Sequence, residues 1–144
     1  MRIRVAGIIP LNDGYALMHR KNVKNKPMSE YYVFPGGGLE EGETLEEGTV
    51  REIKEEFGID VEVLQKLYEE ESLEFAQKSY YFLCKYKSGE FGTGDGPEFN
   101  GDPKYIDSGK FLPEIVKKEE LENIPLMPPN IAKKFIDDVK NGIL

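Results

Sequence analysis

The sequence predicts a single α/β domain over residues 1–144, and three observations lead to this prediction. Short apolar or alternating runs, typical of strands, lie on both sides of one strongly marked helix. A second amphipathic helical pattern follows near residue 130. The length of 144 residues suits one domain with its own core, and we find no internal repeat or interdomain linker.

Three strands are predicted before the first helix. Residues 2–9 alternate and then become apolar, which is typical of a sheet strand. An Asn-Asp-Gly turn signal at residues 12–14 separates this run from residues 15–18, so a hairpin is expected. A polar loop at residues 22–30 then leads to a short strand at residues 31–34.

The first helix is marked at both of its ends. Thr44 is a good N-cap, and Glu47 three residues later completes a capping box. Gly42 and Gly58 bracket the segment, and Gly58 is expected to be a left-handed C-cap. At helical spacing one face carries the apolar residues Val50, Ile53 and Phe57.

Two strands and a long loop are predicted after this helix. Residues 61–68 alternate and residues 80–86 are largely apolar, with residues 69–78 expected to connect them. Residues 88–107 are rich in glycine and proline and predict a long loop, of a length that is usually functional or mobile. The acids in the middle of this loop are Asp95, Glu98 and Asp102.

The remaining elements follow this loop. Residues 110–116 predict a final strand, broken or bulged at Pro113. Residues 118–122 predict a short helical turn. A last amphipathic helix is expected to start at residues 128–130, with the apolar face Ile131, Phe135, Ile136 and Val139.

Three glutamates of the first helix share one face. Glu52, Glu55 and Glu56 fall within an arc of roughly 100° beside Arg51. Like charges at this spacing weaken a helix unless a cation binds them, and Mg²⁺ favours oxygen ligands shared with substrate phosphates. A solvated acidic face is the usual alternative for such a cluster.

The wider run over residues 37–59, GGLEEGETLEEGTVREIKEEFGI, decides between these alternatives. It matches the pattern G-x5-E-x7-R-E-U-x-E-E-x-G-U at every fixed position, where U is a bulky aliphatic residue. The run therefore resembles a Nudix box. The resemblance implies an α/β/α sandwich around a mixed β-sheet, in which the box forms a loop, a helix and a second loop.

The resemblance also implies a reaction. Nudix hydrolases cleave a nucleoside diphosphate linked to another moiety, with Mg²⁺ or Mn²⁺ as cofactor. The substrate would be a nucleoside triphosphate, oxidised or not, or a nucleotide conjugate. The runner-up interpretation is a non-catalytic nucleotide-binding or regulatory domain on the same fold, although such domains usually lose box glutamates. A Nudix-type isomerase would need a catalytic cysteine near the box, where this chain has none.

Roles in the box carry over residue by residue from the resemblance. Glu52, Glu55 and Glu56 match the metal ligands, and the backbone carbonyl of Gly37 matches a frequent additional ligand. Glu43 and Arg51 match the pair that orients the helix and its carboxylates. Glu52 is the first candidate for the general base, and a loop glutamate is the second.

Five residues outside the box are candidates for substrate binding. Arg20 and Lys21 end a strand before a loop, and their counterparts in the family often contact phosphates. Tyr32 and Phe34 precede the box glycines and offer flat rings for a nucleobase, although core packing is an equal alternative for Phe34. Glu98 is the loop glutamate that matches a metal-binding or base residue of related enzymes.

Composition narrows the expected partners. The formal net charge of −8 argues against a nucleic-acid-binding surface and an anionic membrane surface, but allows a phosphorylated small molecule. The single cysteine, Cys84, lies in an apolar run and is expected to be a buried structural thiol. The N-terminal run resembles neither a signal peptide nor a spanning helix, so a cytoplasmic location is expected. The expected assembly is a monomer or homodimer.

Overall fold

The structure, a computed structural model, describes residues 1–99, 101, 103–105 and 107–144. This described part contains two α-helices, α1 (Leu45–Phe57) and α2 (Pro129–Lys140). It also contains nine β-strands, which are β1 (Arg2–Ile8), β2 (Pro10–Leu11), β3 (Gly14–Lys21), β4 (Tyr31–Val33), β5 (Gly36–Gly38), β6 (Ile59–Ser72), β7 (Gln77–Gly89), β8 (Lys110–Lys117) and β9 (Leu126–Met127).

The strands form two sheets. The first has the order β5-β1-β7-β6, and it is mixed because β1 runs parallel to β7 and antiparallel to β5. The second has the order β2-β3-β4-β9, with β8 paired along β3, and it is mixed because β4 and β9 are parallel. The expected α/β fold with a mixed sheet is therefore confirmed, with a second mixed sheet added.

Alternation along the strands divides the core between the two helices. In β3, Ala16 and Met18 lie in the cluster that contains Ile53 and Phe57 of α1. Their neighbours in β3 face the other way and join the cluster around Phe135 of α2. Since successive strand residues point to opposite faces, the sheets lie between α1 and α2 as layers of a sandwich.

Helix α1 is built as its sequence predicts. The Thr44 side chain accepts a hydrogen bond from the Glu47 backbone N–H at 3.0 Å, and the Glu47 carboxylate accepts one from the Thr44 N–H at 2.9 Å. The helix ends at Gly58, which is left-handed with φ 76°. Ile53 and Phe57 are fully buried, so the predicted apolar face is the buried one.

The first hairpin differs in part from the prediction. The turn at Asn12 and Asp13 has positive φ at both residues and joins β2 to β3, as expected. The long strand β1, however, pairs with β5 and β7 of the first sheet rather than with β3. The chain therefore crosses between the sheets near Ile9, whose carbonyl still accepts a hydrogen bond from the Ala16 N–H at 3.0 Å.

The connection predicted at residues 69–78 is wrong, because β6 and β7 continue through most of it. Their pairing extends to Ser72 and Gln77, which leaves only residues 73–76 as the turn. The glutamates of residues 69–71 concealed this strand, since charged residues are poor strand formers unless they stay solvated. The long loop likewise starts at residue 90 rather than 88.

Strand β8 has no break at Pro113, so the predicted bulge is wrong. Its register with β3 is continuous from Lys110 to Lys117. Because β8 pairs only with β3 among the described strands, it is an edge strand, where a missing backbone N–H is tolerated. It is also not the last strand, since Leu126 and Met127 form β9.

Two further expectations are met near the C-terminus and in the core. A 3₁₀ turn at Lys118–Asn123 precedes α2, whose Ile131 and Phe135 are buried as predicted. Cys84 is a buried free thiol, and burial raises its pKa to about 12. Among the described residues, no helix is long and apolar enough to cross a membrane.

Candidate active site

A cavity of about 900 Å³ lies between the two sheets. One wall comes from β1, β6 and β7 of the first sheet, and the other from β3, β4 and β8 of the second. The glycines of β5 and the three α1 glutamates also line it, as does the loop residue Glu98. Most of the predicted box residues therefore border one space that is large enough for a nucleotide conjugate.

Arg51 is the centre of the ionic network beside this cavity. Its Nε and Nη2 donate to the two carboxylate oxygens of Glu43 at 2.7 and 3.1 Å. Nη2 also donates to the Gly38 carbonyl oxygen at 3.0 Å, and Nη1 donates to Glu52 at 3.0 Å. Glu55 lies 3.4 Å from Nη1. A planar guanidinium with five donors can make all of these contacts at once, and through the Gly38 carbonyl it connects α1 to β5.

The glycines of β5 allow α1 to approach closely. The Gly36 backbone N–H donates to Glu56 Oε2 at 2.8 Å. A Cβ at Gly37 would lie 2.6 Å from the carboxylate of Glu52, so a side chain there would displace that carboxylate. The glycine requirement seen in the box pattern thus has a steric cause, which is the packing of two glutamates against β5.

Burial perturbs two of these carboxyl groups. It raises the pKa of Glu56 well above its ordinary value, and the nearby charges of Glu52 and Glu98 raise it further. Burial also raises the pKa of Glu52, although the Arg51 guanidinium acts in the opposite direction. The site concentrates negative charge where water is scarce, so a cation would be stabilised there.

The long loop brings Glu98 to the same place. The backbone N–H groups of Gly92 and Gly96 donate to the carbonyl oxygens of Phe57 and Glu55, each at 2.9 Å. The loop therefore caps the C-terminal end of α1. A Cβ at Gly94 would lie 2.4 Å from the Glu55 carbonyl oxygen, so the contact requires glycine.

The Glu98 carboxyl group is partly buried, and its Oε1 has no hydrogen-bond partner among the described residues. Burial raises its pKa, the charge of Glu55 raises it further, and Arg20 lowers it. Of the other loop acids, Asp95 is exposed and Asp102 lies outside the described residues. Glu98 is thus the acid that this described part of the loop directs towards the box.

The donor set fits a hard divalent cation. Carboxylates and a backbone carbonyl are the ligands that Mg²⁺ prefers, and the buried Oε1 of Glu98, which lacks a partner within the described ranges, offers a further oxygen. Within the described ranges, no three acidic, histidine or cysteine side chains already converge on one point. Their oxygens are instead turned towards Arg51 and the Gly36 N–H.

Arg20, like Glu98, is a predicted substrate-binding residue that reaches the cavity. Its Nη2 donates to the Ser108 carbonyl oxygen at 2.6 Å, and its guanidinium carbon lies 3.8 Å from the centre of the Phe111 ring. Its buried Nε has no hydrogen-bond partner in the described structure. Burial lowers the Arg20 pKa, and the charges of Tyr31, Glu56 and Glu98 oppose that shift. A buried donor in the cavity wall is suited to a phosphate oxygen.

The structure does not bring Lys21 or Tyr32 to the cavity. Strand alternation directs Lys21 to the face opposite Arg20. The Tyr32 ring stacks on His19 at 4.1 Å, and its hydroxyl group bonds to Glu114, which with burial raises the pKa of Tyr32 to about 12. The predicted substrate contacts of both residues therefore have no support from their positions.

Tyr31 occupies the position expected for Tyr32. It lines the cavity and lies opposite Arg20 in the pairing of β4 with β3. Phe34 borders the cavity but is 6 % exposed and packs edge-on against Tyr81 and Phe135, so the core alternative accounts for its contacts.

Sequence reasoning missed the polar residues of the first sheet that face the cavity. Arg2 and Arg4 of β1 line it beside Gln77 and Ser79 of β7 and Glu70 of β6. The signal was available, because arginine alternates with Ile3 and Val5 at the start of the chain. Alternation predicts a strand with one polar face, but does not say that this face borders a cavity.

Comparison with known proteins agrees with this geometry. The family model described as the NUDIX domain matches residues 1–134. Over 119 residues the chain is 30% identical to an 8-oxo-dGTP diphosphatase of Haemophilus influenzae, covering 80% of this chain and 87% of that protein. Over 57 residues it is 46% identical to an ADP-ribose pyrophosphatase of Methanocaldococcus jannaschii, but this match covers 40% of the chain and only 32% of that protein.

The fold agrees as well. A NUDIX hydrolase of Nitrosomonas europaea superposes with a TM-score of 0.71 at 19% identity, covering 98% of this chain and 73% of that one. This identity is low, so the likeness speaks for the fold alone. The match of the family model over nearly the whole chain confirms the resemblance seen in residues 37–59, and the chain belongs to the Nudix family.

Proposed function

We propose that this protein is a divalent-metal-dependent hydrolase that cleaves the pyrophosphate bond of a nucleoside diphosphate linked to another moiety. The observation that carries the proposal is the cluster of box carboxylates at the cavity, held by Arg51 and β5. Relatives named as pyrophosphatases and diphosphatases support the reaction class. The candidate substrates are nucleoside triphosphates, oxidised or not, and nucleotide conjugates.

The metal would be held by Glu52, Glu55 and Glu56, with the carbonyl oxygen of Gly37 as an additional ligand. Mg²⁺ is the first candidate and Mn²⁺ the second, since both prefer oxygen ligands. When bound, such an ion neutralises charge on phosphate oxygens and lowers the pKa of a coordinated water molecule.

The protein's own groups would then control the proton. A general base works best when its pKa is near the working pH, and burial moves the pKa of both Glu52 and Glu98 in that direction. Glu52 is our first candidate for the base, because it lies in the box and keeps its rotamer through Arg51. Glu98 is the second, since it lines the cavity and its Oε1 has no hydrogen-bond partner within the described residues.

The remaining residues would position these groups. Glu43 and Arg51 hold the face of α1 against Gly38, which fixes the direction of the box carboxylates. Arg20 offers a guanidinium to phosphate oxygens from the opposite wall. We expect water to attack a phosphorus atom and a nucleotide or phosphate to leave.

The test is a hydrolysis screen of nucleoside triphosphates, 8-oxo-dGTP, ADP-ribose and other nucleoside diphosphate derivatives, with Mg²⁺ or Mn²⁺ and with chelator. We expect metal-dependent cleavage of at least one compound and a loss of at least a hundredfold in Glu56→Gln, whose amide oxygen can still accept from the Gly36 N–H.

Lys54→Gln is the matched control, because Lys54 is exposed on the same helix and pairs with Asp60 rather than with the glutamates that line the cavity. If no compound is cleaved while nucleotides bind, the non-catalytic nucleotide-binding interpretation replaces the proposal. Cleavage that is unchanged in Glu56→Gln would contradict the assigned site.

A further inference from the structure

We propose that Arg2 and Arg4 form an anion-binding subsite, which takes a negatively charged group of the substrate beyond the two phosphates at the box. This inference rests on the proposed hydrolysis of a diphosphate, and it narrows the substrate class. It favours substrates with a third anionic group, such as a triphosphate chain or a conjugate with a further phosphate.

The two arginines share one face of β1. They are two residues apart in the strand, so their side chains leave the sheet on the same side, and both line the cavity. The pairing of β1 with β5 places Arg4 opposite Gly38. The Nη2 atom of Arg2 is 3.5 Å from the point where a Cβ of Gly38 would lie. Both guanidinium groups therefore flank the glycine strand of the box.

Neither guanidinium group makes a direct polar contact within the described part of the chain. Among the described residues, Arg2 and Arg4 form no hydrogen bond and no ion pair through their side chains. Arg20 in the opposite wall differs, because it donates to the Ser108 carbonyl oxygen and stacks on Phe111. Two cations in one cavity wall, both without an ion-pair partner among the described residues, are suited to an anionic ligand in a protein with a net charge of −8.

The surroundings extend this subsite away from the box. In the parallel register of β1 and β7, Arg2 is level with Gln77 and Arg4 with Ser79. Both neighbours line the cavity and offer an amide and a hydroxyl group to a ligand. Arg4 also lies close enough to Glu56 for its charge to oppose the rise in the pKa of that carboxyl group. A continuous path therefore leads from the box to Arg2.

The test compares the binding of inorganic tripolyphosphate with that of pyrophosphate by titration calorimetry in the presence of Mg²⁺. The variants are Arg2→Gln, Arg4→Gln and the double variant. Lys78→Gln is the control, since Lys78 lies beside Ile3 in the register and carries the same charge on the opposite face of the sheet. Thermal melting of each variant establishes that it is folded.

We expect the wild-type protein to prefer tripolyphosphate, and the double variant to lose at least tenfold of its affinity for tripolyphosphate and less than threefold for pyrophosphate. Lys78→Gln should change neither affinity. Equal losses for both ions, unchanged affinities, or a wild-type protein without preference would each overturn the subsite. A negative hydrolysis screen alongside this selective loss would instead remove the proposed reaction and leave the subsite standing.

Discussion

The α1 glutamates and the loop residue Glu98 line the same cavity, but contacts of very different range hold them. Glu52 accepts a hydrogen bond from its neighbour Arg51, which lies in the same turn of the helix and also pairs with Glu43. Glu98 depends on a loop whose glycines donate to the last carbonyl groups of α1. The box side is therefore specified locally, whereas the loop side depends on tertiary contact.

This difference separates two kinds of contribution to one site. Glu52 loses little entropy on binding a ligand, because its hydrogen bond from Arg51 already restricts its rotamer and the bidentate pair with Glu43 fixes Arg51 in turn. Glu98 has a carboxylate oxygen without a partner among the described residues, and its loop is held to α1 by backbone hydrogen bonds from glycines such as Gly92 and Gly96. We expect substitutions on the box side to affect both turnover and stability, and substitutions on the loop side to affect mainly turnover.

The largest effect is expected at Arg51. Arg51→Lys keeps the charge but loses the fork that joins Glu43, Gly38 and Glu52, so the carboxylates shift and Glu43 is left with a weaker partner. Turnover should fall at least a hundredfold, and the free energy of unfolding should fall by about 2 kcal/mol. Steady-state kinetics with Mg²⁺ and urea denaturation measure the two quantities.

Lys54→Gln, which is also the control proposed for Glu56→Gln, separates the role of Arg51 in the ionic network from the effect of removing any positive charge from the helix. Lys54 pairs with Asp60 at 3.5 Å, and both side chains are about half exposed, so removing its charge should cost less than about 1 kcal/mol. If Arg51→Lys turned over substrate at the wild-type rate, the ionic network would be a structural detail without a part in catalysis.

The difference between local and tertiary contacts also explains which features could be predicted from the sequence. Thr44, Glu47 and Gly58 act within a few residues of each other, so the caps of α1 were predictable. Glu43 precedes α1 and lies eight residues before Arg51, and their pairing followed from the family pattern.

Residues whose neighbours are distant were less predictable. β4 has only three residues, so its own alternation could not show that Tyr31 faces the cavity and Tyr32 faces His19. The pairing with β3 decides this, and it brings together residues from separate parts of the chain. Arg2 and Arg4 were overlooked for the same reason, since β1 borders the cavity only through its place between β5 and β7.

A second, smaller effect is expected at Glu98. Glu98→Gln removes the charge but keeps the shape, so kcat should fall on the order of tenfold while KM changes less than about twofold. Asp95→Asn is the matched control, because Asp95 is an exposed acid of the same loop. Melting temperatures of the two variants should be alike. An unchanged kcat at saturating substrate would show that Glu98 takes no part in catalysis, and Glu52 would remain the candidate for the general base.

The pH dependence of metal-free stability offers a third test of the box side. A carboxyl group with a raised pKa holds its proton more firmly in the folded state than in the unfolded chain. Its contribution to stability is therefore greatest below the ordinary glutamate pKa, and it declines as the pH rises towards the folded value. Burial places Glu52 and Glu56 in this class.

In chelator, the melting temperature of the wild-type protein should fall as the pH is raised from 5 through neutrality. Glu56→Gln should show a flatter profile, because it removes the group with the stronger shift. Glu43 has a lowered pKa, so its own effect is confined to pH values below about 4.5 and does not disturb the comparison. If the melting temperatures of both proteins fell with pH at the same slope, the pKa of Glu56 would not be raised in the folded protein.

The smallest effect distinguishes two adjacent tyrosines in the wall opposite the box. Tyr31 lines the cavity, so Tyr31→Leu should raise KM several-fold through loss of a flat ring that can stack on a nucleobase, with kcat nearly unchanged. Tyr32 packs on His19 and bonds to Glu114, so Tyr32→Leu should lower the melting temperature and leave KM alone. The reverse result, a raised KM only in Tyr32→Leu, would show that the substrate approaches the other face of the second sheet. That face carries Lys21 as well, so Lys21→Gln would then be expected to raise KM together with Tyr32→Leu.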